Sequence, residues 1–105
     1  MATTKDFADF VCECVRDFGE ITSRKMFGEY MVYINAKPVL LLCDNVLYVK
    51  MKDEIKEYMQ DAEIGYPYNG AKMLYVLDVE NQDLIGNVLP ILENITAIPK
   101  SKKKK

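Results

Sequence analysis

Thiols and carboxylates are the most versatile reactive side chains in this 105-residue sequence, because it contains no histidine. Its three cysteines are Cys12, Cys14 and Cys43. The first two form a C-x-C pair inside a helical pattern, where residues two apart point to different sides and cannot share an ion. A structural zinc site usually needs four well-placed ligands. We therefore expect no metal site.

Catalytic chemistry has little support in the residue types. Histidine, the most frequent general base, is absent. Cys43 stands beside Asp44, and the sequence implies no cationic neighbour that would activate its thiol. Neither a Gly-x-Gly-x-x-Gly, a P-loop nor a Gly-x-Ser-x-Gly motif occurs. We expect a protein that is not an enzyme and has no cofactor, with Cys43 as a buried thiol at a strand end.

The charges are unevenly distributed along the chain. Five of the 14 basic residues lie at positions 100–105, which leaves nine basic against 16 acidic residues in the rest, a net charge of −7. Such an acidic body is a poor non-specific ligand for nucleic acid. A run of lysines buries nothing and repels itself. We expect one domain over residues 1–98 and a disordered basic tail over 99–105.

The sequence shows no segment suited to a membrane or to export. No apolar run approaches the roughly 18 residues that cross a bilayer. The first ten residues contain Asp6 and Asp9 in place of the apolar segment of a signal peptide. Together with the odd number of cysteines, this predicts a reduced, cytoplasmic protein with no membrane partner.

Three segments have the apolar periodicity of amphipathic helices: residues 4–18, 53–62 and 82–98. Thr3 or Thr4 can cap the first helix, and Asp53 can cap the second. Pro90 interrupts the third segment, since a proline ring clashes with the carbonyl four residues back. We expect either a kinked helix there, or a short helix followed by a longer one.

Residues 21–50 show strand patterns divided by three short breaks. Breaks of two to four residues force antiparallel hairpins. The run Val39–Cys43 is apolar on both faces and should be a central strand. A loop or short strand at 65–70 and a strand at 72–79 follow. The predicted fold class is α+β: an antiparallel sheet with helices on one face, in the order α-β(3 or 4)-α-β(1 or 2)-α.

The alternation of strand residues sorts their side chains into two faces. One parity is aliphatic and should meet the helices: Val32, Ile34, Leu47, Val49, Leu74 and Val76. The other is rich in methionine and tyrosine and holds Tyr33, Tyr48 and Tyr75. Tyrosine is common at protein-binding surfaces. This face either binds a partner or a second copy, or is covered by the C-terminal helix or the loop at 66–68. Stacking of nucleotide bases on it is disfavoured by the acidic background.

The segment Ile21–Gly28, which reads Ile-Thr-Ser-Arg-Lys-Met-Phe-Gly, resembles the N-terminal domain of the TfoX/Sxy family, the regulators of natural competence. Residues 33–37, 42–50, 67–68 and 73–75 resemble later parts of the family pattern in the same order. Three positions depart from it: Glu29, Ala36 and Asn45 stand where the family usually has glycine. The lysines at the end stand where full-length regulators carry a second, helical domain.

The resemblance implies a stand-alone N-terminal domain with an architecture like that of secretion chaperones. We expect a regulatory module that contacts another protein, such as a component of the transcription machinery, or its own copy as a homodimer. The expected contact residues are Arg24, Lys25, Met26 and Phe27 of the motif, with Tyr33, Tyr48 and Tyr75 of the sheet. For Met26 and Phe27 the simpler interpretation is packing in the core. The alternative function is direct nucleic-acid binding through the basic motif and the lysine tail.

Overall fold

The structure, a computed structural model, describes residues 3–26, 29–67 and 70–98. Its helices are α1 (Lys5–Val15), a first 3₁₀ helix (Arg16–Phe18), a second 3₁₀ helix (Asp53–Met59) and α2 (Gln82–Ile95). Its strands are β1 (Ile21–Met26), β2 (Glu29–Ile34), β3 (Lys37–Cys43), β4 (Val46–Val49), β5 (Ile64–Gly65) and β6 (Leu74–Val76). The predicted α+β class is confirmed, with four strands before the second 3₁₀ helix and two after it.

The six strands form one sheet in the order β1-β2-β3-β4-β6-β5. All neighbouring strands are antiparallel. β3 lies in the interior, as its two apolar faces predict. The final strand of the sequence, β6, inserts between β4 and β5, so β1 and β5 are the two edges of the described sheet.

The hydrophobic core lies between one face of the sheet and the helices. The strands contribute Val32, Ile34, Leu40, Leu42, Leu47 and Val49, and the helices contribute Val11, Val15, Ile55, Met59, Ile85, Val88, Leu89 and Leu92. Burying one such side chain stabilises a fold by about 1.5–3 kcal/mol. The helices therefore lie on one face, as predicted. In the described part of the chain, no helix combines the length and apolarity needed to cross a membrane.

The first helix begins at its predicted cap. Thr4 Oγ1 accepts a hydrogen bond from the backbone N–H of Phe7 at 3.1 Å. After the 3₁₀ turn, Gly19 adopts a φ of 148°, and a Cβ atom there would lie 2.6 Å from the Asn35 side chain. Glycine at this position lets the chain turn closely past the β2–β3 hairpin and enter β1.

The later helices differ in detail from the expectation. The second helix is 3₁₀, ends at Met59, and has Lys52 rather than Asp53 as its cap residue, with no side-chain capping bond. In α2 the structure shows one helix that continues through Pro90, so the alternative of two helices is wrong. Leu89 and Leu92 are buried on either side of the proline, and this packing favours continuity.

Two-residue turns join β2 to β3 and β3 to β4. Their central residues all have positive φ: Asn35 at 54°, Ala36 at 69°, Asp44 at 55° and Asn45 at 60°. Positive φ at both central positions is the type I′ geometry, whose twist matches that of the flanking strands. Asparagine and aspartate tolerate it, whereas alanine is strained there.

The β2–β3 turn is also fastened to the C-terminal half of α2. Lys37 Nζ lies 3.1 Å from Oε2 of Glu93 and donates to the Glu93 carbonyl oxygen at 2.9 Å. Asn35 Nδ2 donates to the same carboxylate at 3.3 Å. The hydrogen bonds from Lys37 and Asn35 hold the pKa of Glu93 below its usual 4.5. This cluster couples the hairpin to the helix layer.

The strained alanine yields a stability prediction. We expect Ala36→Gly to raise the free energy of unfolding by about 1 kcal/mol, because glycine adopts positive φ without the Cβ clash. Asn45→Gly is the matched comparison and should be destabilising, since Asn45 Oδ1 accepts from the Thr4 backbone at 2.9 Å. Urea denaturation measures both. Equal shifts for the two variants would contradict the assignment of strain to Ala36.

The Glu93 cluster predicts an acid dependence of stability. A lowered carboxyl pKa contributes stability above the unfolded value of 4.5, and this is lost as the pH falls through the folded value. We expect Glu93→Gln to destabilise the protein at neutral pH, with the difference from wild type shrinking below pH 4.5. Urea titrations across that range test this. The control is Glu57→Gln at an exposed position, which should change neither the free energy of unfolding at neutral pH nor its dependence on pH. A difference that stayed constant with pH would contradict the prediction.

Candidate protein-interaction surface

The sheet face opposite the helices carries the predicted methionine and tyrosine side chains. Cross-strand partners share a face of an antiparallel sheet. Arg24 pairs with Met31, and Met31 pairs with Leu41. Leu41 in turn pairs with Tyr48, and Tyr48 with Val76. These five residues lie outside the core cluster and trace one face from β1 to β6, which we call the outer face.

Over β1 to β3 no described helix packs on the outer face. Met31, Tyr33 and Leu41 are half-buried there, and Arg24 is exposed. We call these four residues the outer patch. An apolar surface with an aromatic ring, flanked by an arginine, has the composition that protein interfaces favour.

Strand β1 directs the two basic residues of the motif, Arg24 and Lys25, to opposite faces of the sheet. Lys25 pairs with Tyr30, which packs against the core, so Lys25 belongs to the helix-side face. Arg24, one residue earlier, points to the outer face. Met26 ends β1 and pairs with Glu29, and Phe27 lies outside the described residues. The structure thus gives the motif two differently directed charges rather than one basic patch.

Around Cys43 of β3 and Tyr48 of β4 the outer face is covered by β5 and the loop that follows it. Cys43 and Tyr48 are 6% and 8% exposed, although neither belongs to the core cluster. A Cβ atom at Gly65 would lie 3.7 Å from the Tyr48 ring, and the Pro67 carbonyl lies against Cys43. The two alternatives for this face therefore apply to different halves: Gly65 of β5 lies against Tyr48 and Pro67 of the loop against Cys43, whereas Tyr33 is half-buried.

The predicted face of Tyr75 is wrong. Tyr75 pairs with Val49 and with Ile64, is 8% exposed, and belongs to the core cluster. Leu74 and Val76 take the outer face instead. The sequence pattern of this strand fits both parities, because only three residues pair and no tight turn to a neighbouring strand fixes their register.

Two clefts that the sequence analysis did not single out lie on the β5 side of the sheet. One, of about 600 Å³, is lined by Tyr58, Asp61, Ala62, Glu63, Val76, Asp78, Asn81 and Leu84. We call it the acidic cleft. The other, of about 420 Å³, is lined by Lys50, Met51, Lys52, Lys72, Met73 and Leu74, and we call it the lysine cleft. Each joins segments distant in sequence, so only their spacing in three dimensions reveals them.

Metal ligands do not converge within the described ranges. No group of three or more cysteine, aspartate or glutamate side chains there could hold an ion. Cys12 and Cys14 both pack partly buried against the core. Burial raises the pKa of each of these thiols, which disfavours the thiolate that metals bind.

The comparison with protein families identifies the fold that carries these surfaces. The family model of the TfoX N-terminal domain matches residues 13–80, which run from within α1 to beyond β6. The chain belongs to the TfoX N-terminal domain family. The match includes every strand of the sheet, and with it the outer patch and most of the residues that line the two clefts.

The chain is also similar over its full length to a protein of Spirochaeta aurantia. That relative is described as an uncharacterized 12.7 kDa protein in the trpE 5′ region. It is 36% identical over 107 residues, a span that covers all of this chain and 93% of the relative. The likeness therefore extends over the full length of the sequence, beyond the matched domain residues.

Within this TfoX N-terminal domain, Glu29 contacts a buried thiol. Cys43 donates its proton to the Pro67 carbonyl at an Sγ–O distance of 2.6 Å, and Glu29 Oε2 lies 3.3 Å from the same sulfur. Burial and the Glu29 carboxylate raise the pKa of the Cys43 thiol to about 11. Cys43 is therefore a structural hydrogen-bond donor that fastens the loop, and not a nucleophile.

This geometry predicts slow thiol chemistry. In a Cys12→Ser/Cys14→Ser variant, Cys43 should react with a thiol reagent far more slowly at neutral pH than it does in denaturant. Its rate should rise towards pH 11, because only the thiolate attacks. Absorbance of the released reporter follows the reaction. Labelling at the denatured rate under native conditions would contradict the burial of this thiol.

Proposed function

We propose that this TfoX N-terminal domain is a non-enzymatic regulatory module that binds another protein through the outer patch. The family membership supports a role like that of competence regulators. A component of the transcription machinery is the partner class that such a role implies.

The outer patch is the observation that carries the proposal. Among the described residues, the helices cover one face of the sheet, and β5 with the loop after it covers the part of the other face around Tyr48 and Cys43. What remains accessible is Tyr33 with Met31 and Leu41, beside the exposed Arg24. Tyrosine and arginine are enriched among residues that dominate binding energy, since both combine large contact area with directed hydrogen bonds.

The charge arrangement favours a protein over nucleic acid as the partner. Arg24 and Lys25 project from opposite faces of β1, so they do not form a continuous track along a phosphate backbone. The part of the chain before the lysine tail has a net charge of −7, which opposes the electrostatic term that dominates nucleic-acid affinity.

Charge reversal at Arg24 and at its neighbour Lys25, together with a change at Tyr33, tests the proposal. We expect Arg24→Glu and Tyr33→Ser each to reduce capture of the partner at least roughly tenfold, as is typical of central interface residues. Lys25→Glu makes the same change of charge one residue away, on the other face, and should leave capture unchanged. Affinity capture from the source cells with the tagged full chain, quantified by mass spectrometry, measures all three.

Two results would contradict this function. One is a set of captured proteins that is identical for wild type, Arg24→Glu and Tyr33→Ser. The other is duplex-DNA binding, measured by fluorescence anisotropy, that is tight at moderate salt and survives removal of residues 100–105. The second result would make the basic motif a nucleic-acid site.

A further inference from the structure

The β5 edge concentrates the exposed apolar side chains of the molecule. Among the described residues, the large apolar side chains that are at least 39% exposed are Phe10, Met51, Tyr58, Ile64, Tyr66, Met73 and Ile98. Five of these seven lie on or beside β5: two in the lysine cleft, one in the acidic cleft, Ile64 in β5 itself and Tyr66 directly after it. Apolar groups clustered in this way mark an interaction surface.

Among the described strands, β5 has a neighbour on one side only, so the same edge presents strand backbone on its other side. The N–H of Val76 in β6 donates to the carbonyl of Glu63 at 2.8 Å, so Glu63 and Val76 form a hydrogen-bonded pair. Hydrogen-bonded and non-hydrogen-bonded pairs alternate along an antiparallel ladder. Ile64 therefore directs its N–H and C=O away from β6, towards the free edge of the sheet. A free edge of this kind is a template for a further strand.

Charges of opposite sign occupy the two ends of this edge. Asp61 and Glu63 precede β5, and Asp78 follows β6, at the end that holds the acidic cleft. At the other end Gly65 pairs with Leu74, which lines the lysine cleft together with Lys50 and Lys72. Within the described ranges, none of these charged side chains is in an ion pair. Along β5 the surface thus runs from acidic, through apolar, to basic.

We infer that the β5 edge binds a second copy of this chain in a two-fold symmetric dimer, with the two β5 strands antiparallel. A two-fold axis through β5 reverses the direction of the strand. The acidic cleft of one copy then faces the lysine cleft of the other, twice in each dimer, and the apolar centre is buried against itself. Such an interface is isologous, which means that the same patch is used on both copies.

The charge pattern of the β5 edge favours a second copy of this chain as its partner. A surface that is acidic at one end and basic at the other is complementary to itself when inverted. A partner of one sign would match one cleft and repel the other. The other edge, β1, carries Arg24 and Lys25 in its second half, and charged side chains on an edge strand disfavour its pairing with another strand.

Complementary charge-reversal variants test the dimer. Lys50→Glu/Lys72→Glu makes both ends of the edge acidic, and Asp61→Lys/Glu63→Lys makes both ends basic. Each variant alone should raise the dimer dissociation constant at least roughly tenfold, because like charges meet across the interface. An equimolar mixture should regain the dimer, with one copy of each, since opposite charges then meet at both ends. Sedimentation velocity and native mass spectrometry of the full chain measure this.

The control and the contrary results are specific. Arg24→Glu/Lys25→Glu carries the same change of charge at the other edge and should dimerise like wild type, although its capture of a protein partner should fail. Conversely, Lys50→Glu/Lys72→Glu should keep that partner while losing the dimer, so failure of one proposal is distinguishable from failure of the other. A wild-type chain that is monomeric at every concentration, or a mixture of folded variants that stays monomeric, would overturn the dimer.

A measurement on the unmodified chain removes any dependence on how the variants fold. The backbone amide of Ile64 should become more protected from hydrogen exchange as the protein concentration rises, because dimerisation pairs it. Protection of amides in β1 should not change with concentration. Exchange at Ile64 that is independent of concentration would overturn pairing through β5.

Discussion

The register of the β2–β3–β4 meander is the constraint on which the rest of the structure depends. Two-residue turns at Asn35–Ala36 and Asp44–Asn45 set the pairing beside each turn, because positive φ at both central positions matches the twist of closely paired strands. Further along β2 and β3 the register shifts between Val32 and Tyr33, so that Tyr33 pairs with Pro38 while Val32 pairs with Leu40. A slip of one residue would transfer each side chain of a strand to the opposite face. With the observed register, Val32 and Leu40 meet the helices while Met31 and Leu41 form the outer patch. The close approach of Gly19 to Asn35 and the bonds from Asn35 and Lys37 to Glu93 hold the helix layer in place over the same face.

Within the described part of the chain, the one-sided helix layer leaves two separate accessible surfaces, the outer patch and the β5 edge. The outer patch spans β1 to β3, and the charged edge lies at β5, at opposite ends of the sheet. Between these two surfaces, Gly65 of β5 lies against Tyr48, and the loop after β5 accepts the Cys43 proton through the Pro67 carbonyl. A second copy at β5 would therefore leave the outer patch of each protomer accessible. A dimer of this form would present two partner-binding surfaces, which increases avidity for a partner that also has two sites.

Much of the fold was predictable because its signals are local. Helical periodicity located α1 and α2, and hairpin breaks located β1 to β4. The exposed Arg24 and half-buried Tyr33 were among the expected contact residues, and their exposure agrees with that role, which stays a prediction. Tyr75 was assigned to the wrong face because β6 is only three residues long and both parities of its sequence are aliphatic or aromatic. Arg24 and Lys25 point to opposite faces because neighbouring residues of a strand alternate. Treating the two as one basic motif overlooks this alternation.

The sequence by itself determined the fold class, the places of the hairpin turns and the chemical character of the chain. The spacing of apolar residues, the turn residues and the absence of histidine are properties of neighbouring residues and of composition. No contact between distant segments is needed to establish them. Only the tertiary structure decided how β6 inserts between β4 and β5, and hence which half of the outer face the loop covers. It also decided that Lys50 meets Lys72 in one cleft while Asp61 meets Asp78 in another. Such pairings depend on which distant segments bury the most apolar surface together, a sum over the whole chain that no local pattern contains.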